Sequence, residues 1–364
     1  MTPRAAALAF AGLAAACARD DRAAAVPHDA PPIDSTTTVR KPAPSLLAGG
    51  PYAYVTAEDG NAVAVIDLRS DSVVASVRPG KRPRGVKVSP DGSTLIVAVS
   101  GSPKGGPGVE ESTLPPADRR KDGIAIIDLS RRVLKRTLPG GIDPENFDVS
   151  ADGKTIYVAN EDGSSVTVLD VISGKAVARI PVGAEPEGVT IRPDGAVVYV
   201  TSERTGTIAV IATDSRKVVA TMPVGKRPRS VTFSADGAKA YVANEEGNSI
   251  SVVDTKKQRV ARTIALGGPE IRPMGTALSP DGTRLYVTTG RGGTLITIDA
   301  QSDTVLASVA VGKRPWGIAV SADGARVYTA NGPSNDVAVV DVASMRVVKR
   351  IPVGSVPWGV AISR

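Results

Sequence analysis

The chain has almost no cysteine or histidine and few aromatic side chains. Its 364 residues include one Cys, one His, two Trp, three Phe and seven Tyr. A single Cys excludes an internal disulfide, and a structural zinc site needs several Cys or His ligands. His28 lies in a proline-rich N-terminal segment, so haem held by histidine and Ser-His-Asp or Cys-His catalysis are excluded from the folded part. Carboxylates, Arg, Lys, Tyr and Asn remain as chemically active side chains.

No hydrophobic run is long enough to cross a bilayer as a helix. The longest, Ala5 to Ala16, has about 12 residues, which suits a secretory signal, and the only cysteine, Cys17, follows it directly. This segment resembles a bacterial lipoprotein signal. We therefore expect a signal peptide at 1–16, lipidation of Cys17 and a periplasmic protein held at a membrane by that lipid alone. Signal cleavage without lipidation is the alternative, and 17–50, rich in Pro, Ala and Asp, is predicted to be a lipidated or free disordered tether.

An internal repeat dominates the rest of the chain. Asp-Gly pairs recur at intervals of 61, 42, 42, 45 and 42 residues. They begin at Asp91, Asp152, Asp194, Asp236, Asp281 and Asp323. Each repeat contains four short runs of alternating or β-branched residues separated by turns, with glycine where the turn needs a positive φ. Four antiparallel strands in about 42 residues are typical of a propeller blade.

The strand count predicts how the ring closes. The chain begins with three strands, at about 52–57, 63–68 and 73–78, and ends with a lone strand at Gly359 to Ser363. Six complete repeats lie between them, and residues 101–121 form a loop insertion. We therefore predict an all-β, seven-bladed β-propeller of four-stranded antiparallel blades over 51–364. Pairing of the C-terminal strand with the N-terminal three-stranded blade closes it and leaves no sheet edge exposed there.

Six of the seven tyrosines occupy one position of the repeat, in the second strand. They are Tyr54, Tyr157, Tyr199, Tyr241, Tyr286 and Tyr328, with Ile96 at the seventh place. A row of tyrosines could serve electron transfer or stacking, but recurrence in each blade favours packing between blades.

Several motifs carry a resemblance to a known family. Tyr157-Val158-Ala159-Asn160, Tyr199-Val200-Thr201-Ser202 and Pro181-Val182-Gly183 resemble the YVTN family of seven-bladed propellers. Arg227-Pro228-Arg229, Arg272-Pro273-Met274-Gly275 and Arg314-Pro315-Trp316-Gly317 are similar to its PQQ-dependent catabolism-associated subfamily. The resemblance implies a periplasmic protein that accompanies alcohol oxidation by a quinoprotein dehydrogenase system. It does not imply a bound quinone, so no cofactor is evident.

Candidate site residues follow the proline that opens each repeat. Function on propellers usually belongs to the loops around the central channel, and strand order places this position there. In ring order these residues are Arg84, Glu145, Glu187, Arg229, Met274, Trp316 and Trp358. A purely structural position would keep one residue type, whereas this ring is polarised. We interpret it as a recognition surface; the alternative is that Arg and Glu pair across blades while the tryptophans cap the core.

A second set of loops, between second and third strands, adds acidic residues to the same face: Glu58, Glu161, Glu203 and Glu245. Three functions fit. The face binds a periplasmic protein or small molecule, with Trp316 and Trp358 as apolar anchors and arginines on an anion. Alternatively, calcium binds the carboxylates of Glu145, Glu161, Glu187 and Glu203, or these act as acid and base on a sugar or lactone.

The favoured interpretation is an exported, monomeric, non-catalytic scaffold accessory to PQQ-dependent alcohol catabolism. Calcium binding or a lactonase-like hydrolase is the alternative. The formal net charge is +7, but export and the lack of aromatics among the basic residues argue against nucleic acid. The insertion at 101–121 lies on the loop face as a lid, a docking arm or simply a tolerated loop.

Overall fold

Seven four-stranded antiparallel sheets form the described part of the chain. The structure is a computed structural model, and it describes residues 50–105 and 111–363. Within these residues the chain forms 28 strands and three short 3-10 helices. Strand pairing groups the strands into seven blades. The predicted seven-bladed all-β propeller is confirmed.

The strands follow the chain in blade order. Blade 1 consists of β1 (Tyr52–Ala57), β2 (Ala62–Asp67), β3 (Ser72–Val77) and β28 (Pro357–Ile362). Blade 2 consists of β4 (Val86–Val88), β5 (Thr94–Val99), β6 (Gly123–Asp128) and β7 (Val133–Leu138). Blade 3 consists of β8 (Pro144–Val149), β9 (Thr155–Asn160), β10 (Ser165–Asp170) and β11 (Lys175–Pro181). Blade 4 consists of β12 (Pro186–Ile191), β13 (Val197–Ser202), β14 (Thr207–Ala212) and β15 (Lys217–Pro223).

Three more blades complete the ring. Blade 5 consists of β16 (Pro228–Phe233), β17 (Lys239–Asn244), β18 (Ser249–Asp254) and β19 (Arg259–Ala265). Blade 6 consists of β20 (Pro273–Leu278), β21 (Arg284–Thr289), β22 (Thr294–Asp299) and β23 (Thr304–Ala310). Blade 7 consists of β24 (Pro315–Val320), β25 (Arg326–Asn331), β26 (Asp336–Asp341) and β27 (Arg346–Pro352). The 3-10 helices are Glu111–Thr113, Arg119–Lys121 and Gly332–Ser334.

The two ends of the chain meet in blade 1. In β28, Ile362 pairs with Ala53 and Val360 with Val55, in antiparallel register. Beyond the strand, the N–H of Ser363 donates to the carbonyl of Tyr52 at 2.8 Å. The predicted closure is therefore confirmed, and the last strand of the chain is the inner strand of the first blade.

The middle strands of the blades are buried between neighbouring blades. The six repeat tyrosines are at most 3% exposed and Ile96 is 2% exposed. Tyr241 of blade 5, for example, packs in one cluster with Leu285 and Ile296 of blade 6. The tyrosine row is thus the inter-blade packing row that its recurrence predicts.

The inner strands converge so closely that some positions admit only glycine. A Cβ on Gly188 would lie 2.2 Å from the carbonyl oxygen of Arg229, and one on Gly275 would lie 2.4 Å from that of Trp316. Threonines on the second strands fix the same carbonyls: Thr201 donates to Arg229 and Thr288 to Trp316, each at 2.8 Å. The backbone next to the predicted site residues is therefore held by the neighbouring blade.

The predictions for the N-terminal segment lie outside the described residues. These are the signal peptide at 1–16, the lipidation of Cys17 and all but residue 50 of the tether at 17–50. In ranges 50–105 and 111–363, no helix combines the length and hydrophobicity that a membrane crossing needs.

Candidate functional site

Two sets of loops meet on one face of the propeller, which we call the loop face. One set joins the outer strand of a blade to the inner strand of the next and contains the repeat proline. We call its flanking residues the pre-proline and post-proline positions. The other set joins second to third strand, and its first residue is the second-loop position. A backbone hydrogen bond links the two loops, as where the N–H of Glu245 donates to the carbonyl of Arg227 at 2.9 Å.

Sequence reasoning missed the pre-proline position. Its residues are Arg82, Asp143, Glu185, Arg227, Arg272, Arg314 and Val356, all with φ between 44° and 54°. This left-handed conformation is uncommon for residues with a side chain. Its recurrence in all seven loops shows that it is a regular feature of the loop backbone. An Arg-Pro pair precedes four of the seven predicted site residues, and this recurrence was the signal that could have revealed the position.

Arg84 lies at the centre of one buried ionic cluster. Its side chain is 2% exposed and donates to Asp143 and Glu145, both at 2.5 Å, and to the carbonyl of Pro144 at 3.0 Å. Burial strongly opposes a charge on Arg84, but these carboxylates overcome it and hold its pKa above the usual range. Burial raises the pKa of Glu145 well above its usual value, and burial also raises the pKa of neighbouring Glu161. Burial thus favours the protonated form of both carboxyl groups.

Arg229 lies at the centre of a second cluster. Its Nη1 donates to Glu187 and Glu203, and its Nε donates to Glu245 at 2.7 Å. Arg227 adds a contact from its Nε to Glu203 at 2.7 Å. Burial, followed by the charge of Glu187, raises the pKa of Glu203 to about 10. Glu203 therefore carries a proton at neutral pH. Arg229 keeps the adjacent Glu187 ionised, because its charge lowers the pKa of Glu187 against the effect of burial.

The predicted charged residues pair with one another across blades. Arg84 of blade 2 contacts Glu145 of blade 3, and Glu187 of blade 4 contacts Arg229 of blade 5. This is the alternative to a recognition surface that the sequence left open. Anion binding by Arg84 or Arg229 stays a prediction, since carboxylates already surround both guanidinium groups.

The two tryptophans form a pair at the same face. Their ring centroids are 5.5 Å apart and their planes are inclined by 82°, an edge-to-face contact. Trp358 is 8% exposed and Trp316 is more accessible. The guanidinium carbon of Arg314 lies 5.0 Å from the ring centroid of Trp316, within the range of a cation–π contact. Met274, also predicted, is buried nearby in blade 6.

The calcium hypothesis receives no cluster of ligands from the structure. In the described ranges, no group of three or more His, Cys, Asp or Glu side chains has an arrangement that could hold a metal ion. Glu145 and Glu161 contact Arg84, while Glu187 and Glu203 contact Arg229. The assignment of these four glutamates to a metal therefore stays a prediction.

A cavity of about 770 Å³ opens at the loop face. Its walls include both tryptophans, Arg84, Glu145, Arg229 and Met274, so six of the seven predicted post-proline residues border one space; Glu187 does not. The described ends of the insertion form a further wall, through Leu114 and Pro115 among others. Lys104 joins the insertion to Asp59 of blade 1 at 3.1 Å, and Arg119 joins it to Asp162 of blade 3 at 2.6 Å.

Comparison with protein families gives two partial matches. A family model described as a YNCE-like β-propeller matches residues 113–193. Another, described as a lactonase with a seven-bladed β-propeller, matches 180–265 and 215–349. Together they support a seven-bladed propeller family. No curated protein matches the chain.

Solved structures share the fold at low identity. Hydrazine synthase of Kuenenia stuttgartiensis is 22% identical with a TM-score of 0.67, covering 78% of this chain and 90% of its own. A candidate 6-phosphogluconolactonase from Bacteroides fragilis is 18% identical with a TM-score of 0.71, covering 88% and 100%. A protein of unknown function from Desulfotomaculum acetoxidans is 17% identical with a TM-score of 0.70, covering 86% and 99%. At this identity they show the propeller fold alone.

Proposed function

We propose that the protein is a binding propeller that takes a small molecule, or a short segment of a partner protein, into the loop-face cavity. The observation that supports this most is the composition of that cavity. It combines an aromatic pair, Trp316 and Trp358, with charged side chains of both signs. Its volume of about 770 Å³ lies within the range of small-molecule sites.

The cellular setting is part of the proposal. The hydrophobic run before Cys17 supports export and lipid attachment. The motifs Arg227-Pro228-Arg229 and Arg314-Pro315-Trp316-Gly317, which resemble those of the PQQ-dependent catabolism-associated subfamily, support a role beside a quinoprotein dehydrogenase in alcohol catabolism. Labelling cells with a palmitate analogue tests the lipid: the wild type should incorporate it and Cys17→Ser should not, and equal labelling would contradict lipidation at Cys17.

Affinity capture from periplasmic extract tests binding. The bait is the full chain, compared with Trp316→Ala and with the double variant Trp316→Ala/Trp358→Ala. The binding proposal predicts that a partner or metabolite retained by the wild type is lost from both variants. Trp316 is the more informative position, because Trp358 is buried and its removal also affects packing.

Ile172→Ala is a suitable control for the capture experiment. Ile172 is 72% exposed in the turn between the third and fourth strands of blade 3, on the face opposite the cavity. This variant also removes an apolar side chain but should retain every ligand. Equal recovery of all ligands by the tryptophan variants, shown by thermal melting to be folded, would contradict binding at this cavity.

A lactonase-like hydrolase is the second candidate. The lactonase family match supports it, as do Glu145 and Glu161, which line the cavity and whose pKa values are raised by burial. The ionised carboxyl would take a proton from water as it attacks the lactone carbonyl. The protonated one would then deliver a proton to the ring oxygen as its bond to the carbonyl carbon breaks, giving a hydroxy acid.

Acid release from gluconolactone and 6-phosphogluconolactone, followed in a pH-stat, tests this candidate. A hydrolase should accelerate opening of at least one lactone, and Glu145→Gln and Glu161→Gln should each remove the acceleration. Glu270→Gln, at an exposed acid away from these two, is the control. Rates no higher than spontaneous opening would leave binding as the sole proposal.

A further inference from the structure

We propose that blades 6 and 7 carry an anion subsite formed by Arg314, Arg272 and the indole N–H of Trp316. It takes the carboxylate or phosphate group of a ligand. The inference rests on the proposed function, because it assigns one part of the ligand to one part of the same cavity. All three side chains line that cavity.

The repeat shows why Arg314 differs from its equivalents. Two of the four pre-proline arginines contact the second-loop glutamate of the preceding blade. Arg82 donates to Glu58 at 2.8 Å, and Arg227 donates to Glu203 at 2.7 Å. The corresponding position before Arg314 is Gly290. In other blades a glutamate carboxylate lies beside the pre-proline arginine, whereas Gly290 offers none to Arg314.

The second-loop position of blade 7 itself also lacks a glutamate. In blade 5, Glu245 lies 3.2 Å from the Nε of Arg227. In blade 7 the equivalent residue is Gly332, whose N–H donates to the carbonyl of Arg314 at 3.3 Å, as Glu245 does to Arg227. Arg314 consequently forms no ion pair with any residue in the described ranges; its contact is with Trp316.

Two arginines act on Arg314 more strongly than the carboxylates near it. Burial, together with the positive charges of Arg229 and Arg227, lowers the pKa of Arg314 from its usual value, and this outweighs the opposing charges of Glu245 and Glu58. A guanidinium group nevertheless stays charged at neutral pH. An anion placed here would relieve the repulsion, and the stacking of the guanidinium on Trp316 restricts the directions in which its N–H groups point.

Two further donors complete the subsite. The buried Nε of Arg272 and Nε1 of Trp316 have no hydrogen-bond partner among the described residues. The ion pair of Arg272 with Glu246 is long, at 3.5 Å. Buried donors normally have an acceptor, and an oxyanion offers several acceptor atoms at once. Carboxylate and phosphate are the biological anions that arginine binds best.

The two tryptophans allow a direct test, because they are the only two in the chain and both line the cavity. Fluorescence of the full chain, excited at a wavelength that tyrosine does not absorb, therefore reports on this site alone. Titration with inorganic phosphate and, separately, citrate should change the emission. Iodide, an anionic quencher, should compete with both, whereas neutral acrylamide should not.

Restoring the missing carboxylate gives a matched pair of variants. A Cβ at Gly332 would come no nearer than 3.6 Å to any atom, so the position has room for a side chain. Gly332→Glu should neutralise Arg314, whereas Gly332→Gln has the same size without charge. We expect Gly332→Glu and Arg314→Gln to weaken phosphate or citrate binding about tenfold, the loss expected for one charge-assisted hydrogen bond. Gly332→Gln should bind within about twofold of the wild type.

The outcomes separate this inference from the proposed function. If neither anion alters the fluorescence, or if Gly332→Glu and Gly332→Gln behave alike, the anion subsite is wrong even where ligand capture succeeds. If phosphate or citrate titrates as expected while capture fails, the subsite stands and the proposed function falls. A response to phosphate alone, or to citrate alone, identifies which oxyanion the subsite takes.

Discussion

The two loop-face arginines of blade 5 contact glutamates of blades 4 and 5, whereas blades 6 and 7 have glycine at the second-loop position. Arg227 and Arg229 contact Glu203 and Glu245, and Arg229 also contacts Glu187. In blade 7, the equivalents of Arg227 and Arg229 are Arg314 and Trp316, which contact each other. One side of the face thus consists of buried ion pairs, and the other presents a cation and an aromatic pair to the cavity.

The difference shows that the side chains of the loop face vary while the backbone of the strands and loops stays the same. The backbone hydrogen bond between Glu245 and Arg227 recurs between Gly332 and Arg314. The pre-proline φ is also the same, 54° at Arg227 and 51° at Arg314. Because the packed strands and these bonds fix the loops, a side chain at a repeat position can change without altering the fold.

The largest effect should come from breaking the ring that both regions share. Deletion of the last six residues removes most of β28 and its pairing with β1. We expect loss of the cooperative thermal transition, because blade 1 would lose its inner strand and blades 7 and 2 their contact surface. Ser363→Ala, which removes only hydrogen bonds to Tyr52 and Gly50, should lower the melting temperature slightly. A truncated chain that melted like the full one would show that closure is dispensable.

The next effect compares the two regions directly. Arg229→Met should destabilise the protein by about 3–5 kcal/mol, since it leaves the buried side chains of Glu187 and Glu203 and the half-buried Glu245 without their central cation. Arg314→Met should change the free energy of unfolding by about 0.5 kcal/mol or less, since no ion pair is lost. Urea denaturation measures both. Similar losses for the two variants would mean that the regions do not differ as described.

A third prediction concerns pH. The folded pKa of Glu203 is about 10 against a usual 4.5, so between these values the folded protein holds a proton that the unfolded chain lacks. Stability from this group is therefore lost as pH rises from 4.5 towards 10. The lowered pKa of Glu187 acts oppositely, and its contribution is lost as pH falls below 4.5.

Glu203→Gln resembles the protonated carboxyl group and should reduce the loss of stability with rising pH. Its melting temperature relative to the wild type should be higher at pH 9 than at pH 5. Glu270→Gln, at an exposed position, should follow the wild-type profile. A Glu203→Gln profile parallel to that of the wild type would contradict a proton shared within the Arg229 cluster.

The sequence predicted the propeller fold more completely than the contacts of the loop-face residues. Repeat spacing, turn glycines and the tyrosine row depend on local pattern, and the structure confirms the blade count, the closure and the packing role of the tyrosines. The pairing of Arg84 with Glu145 stayed one of two alternatives, because it depends on which atoms of neighbouring blades approach each other. The special position of Arg314 was missed because it depends on two glycines, Gly290 and Gly332, that stand where other blades have glutamate.

The smallest effect should be a gain in stability. Gly332→Glu supplies Arg314 with the partner that Glu245 gives Arg227, and should stabilise the protein by at most about 1 kcal/mol relative to Gly332→Gln, as exposed ion pairs do. Raising the salt concentration should abolish this difference, because screening weakens the ion pair without affecting the shared size of the two side chains. No difference at low salt would mean that Arg314 does not respond to a carboxylate at this position. A gain in stability that accompanies a loss of anion binding would indicate that the unpaired arginine is kept for its ligand rather than for the fold.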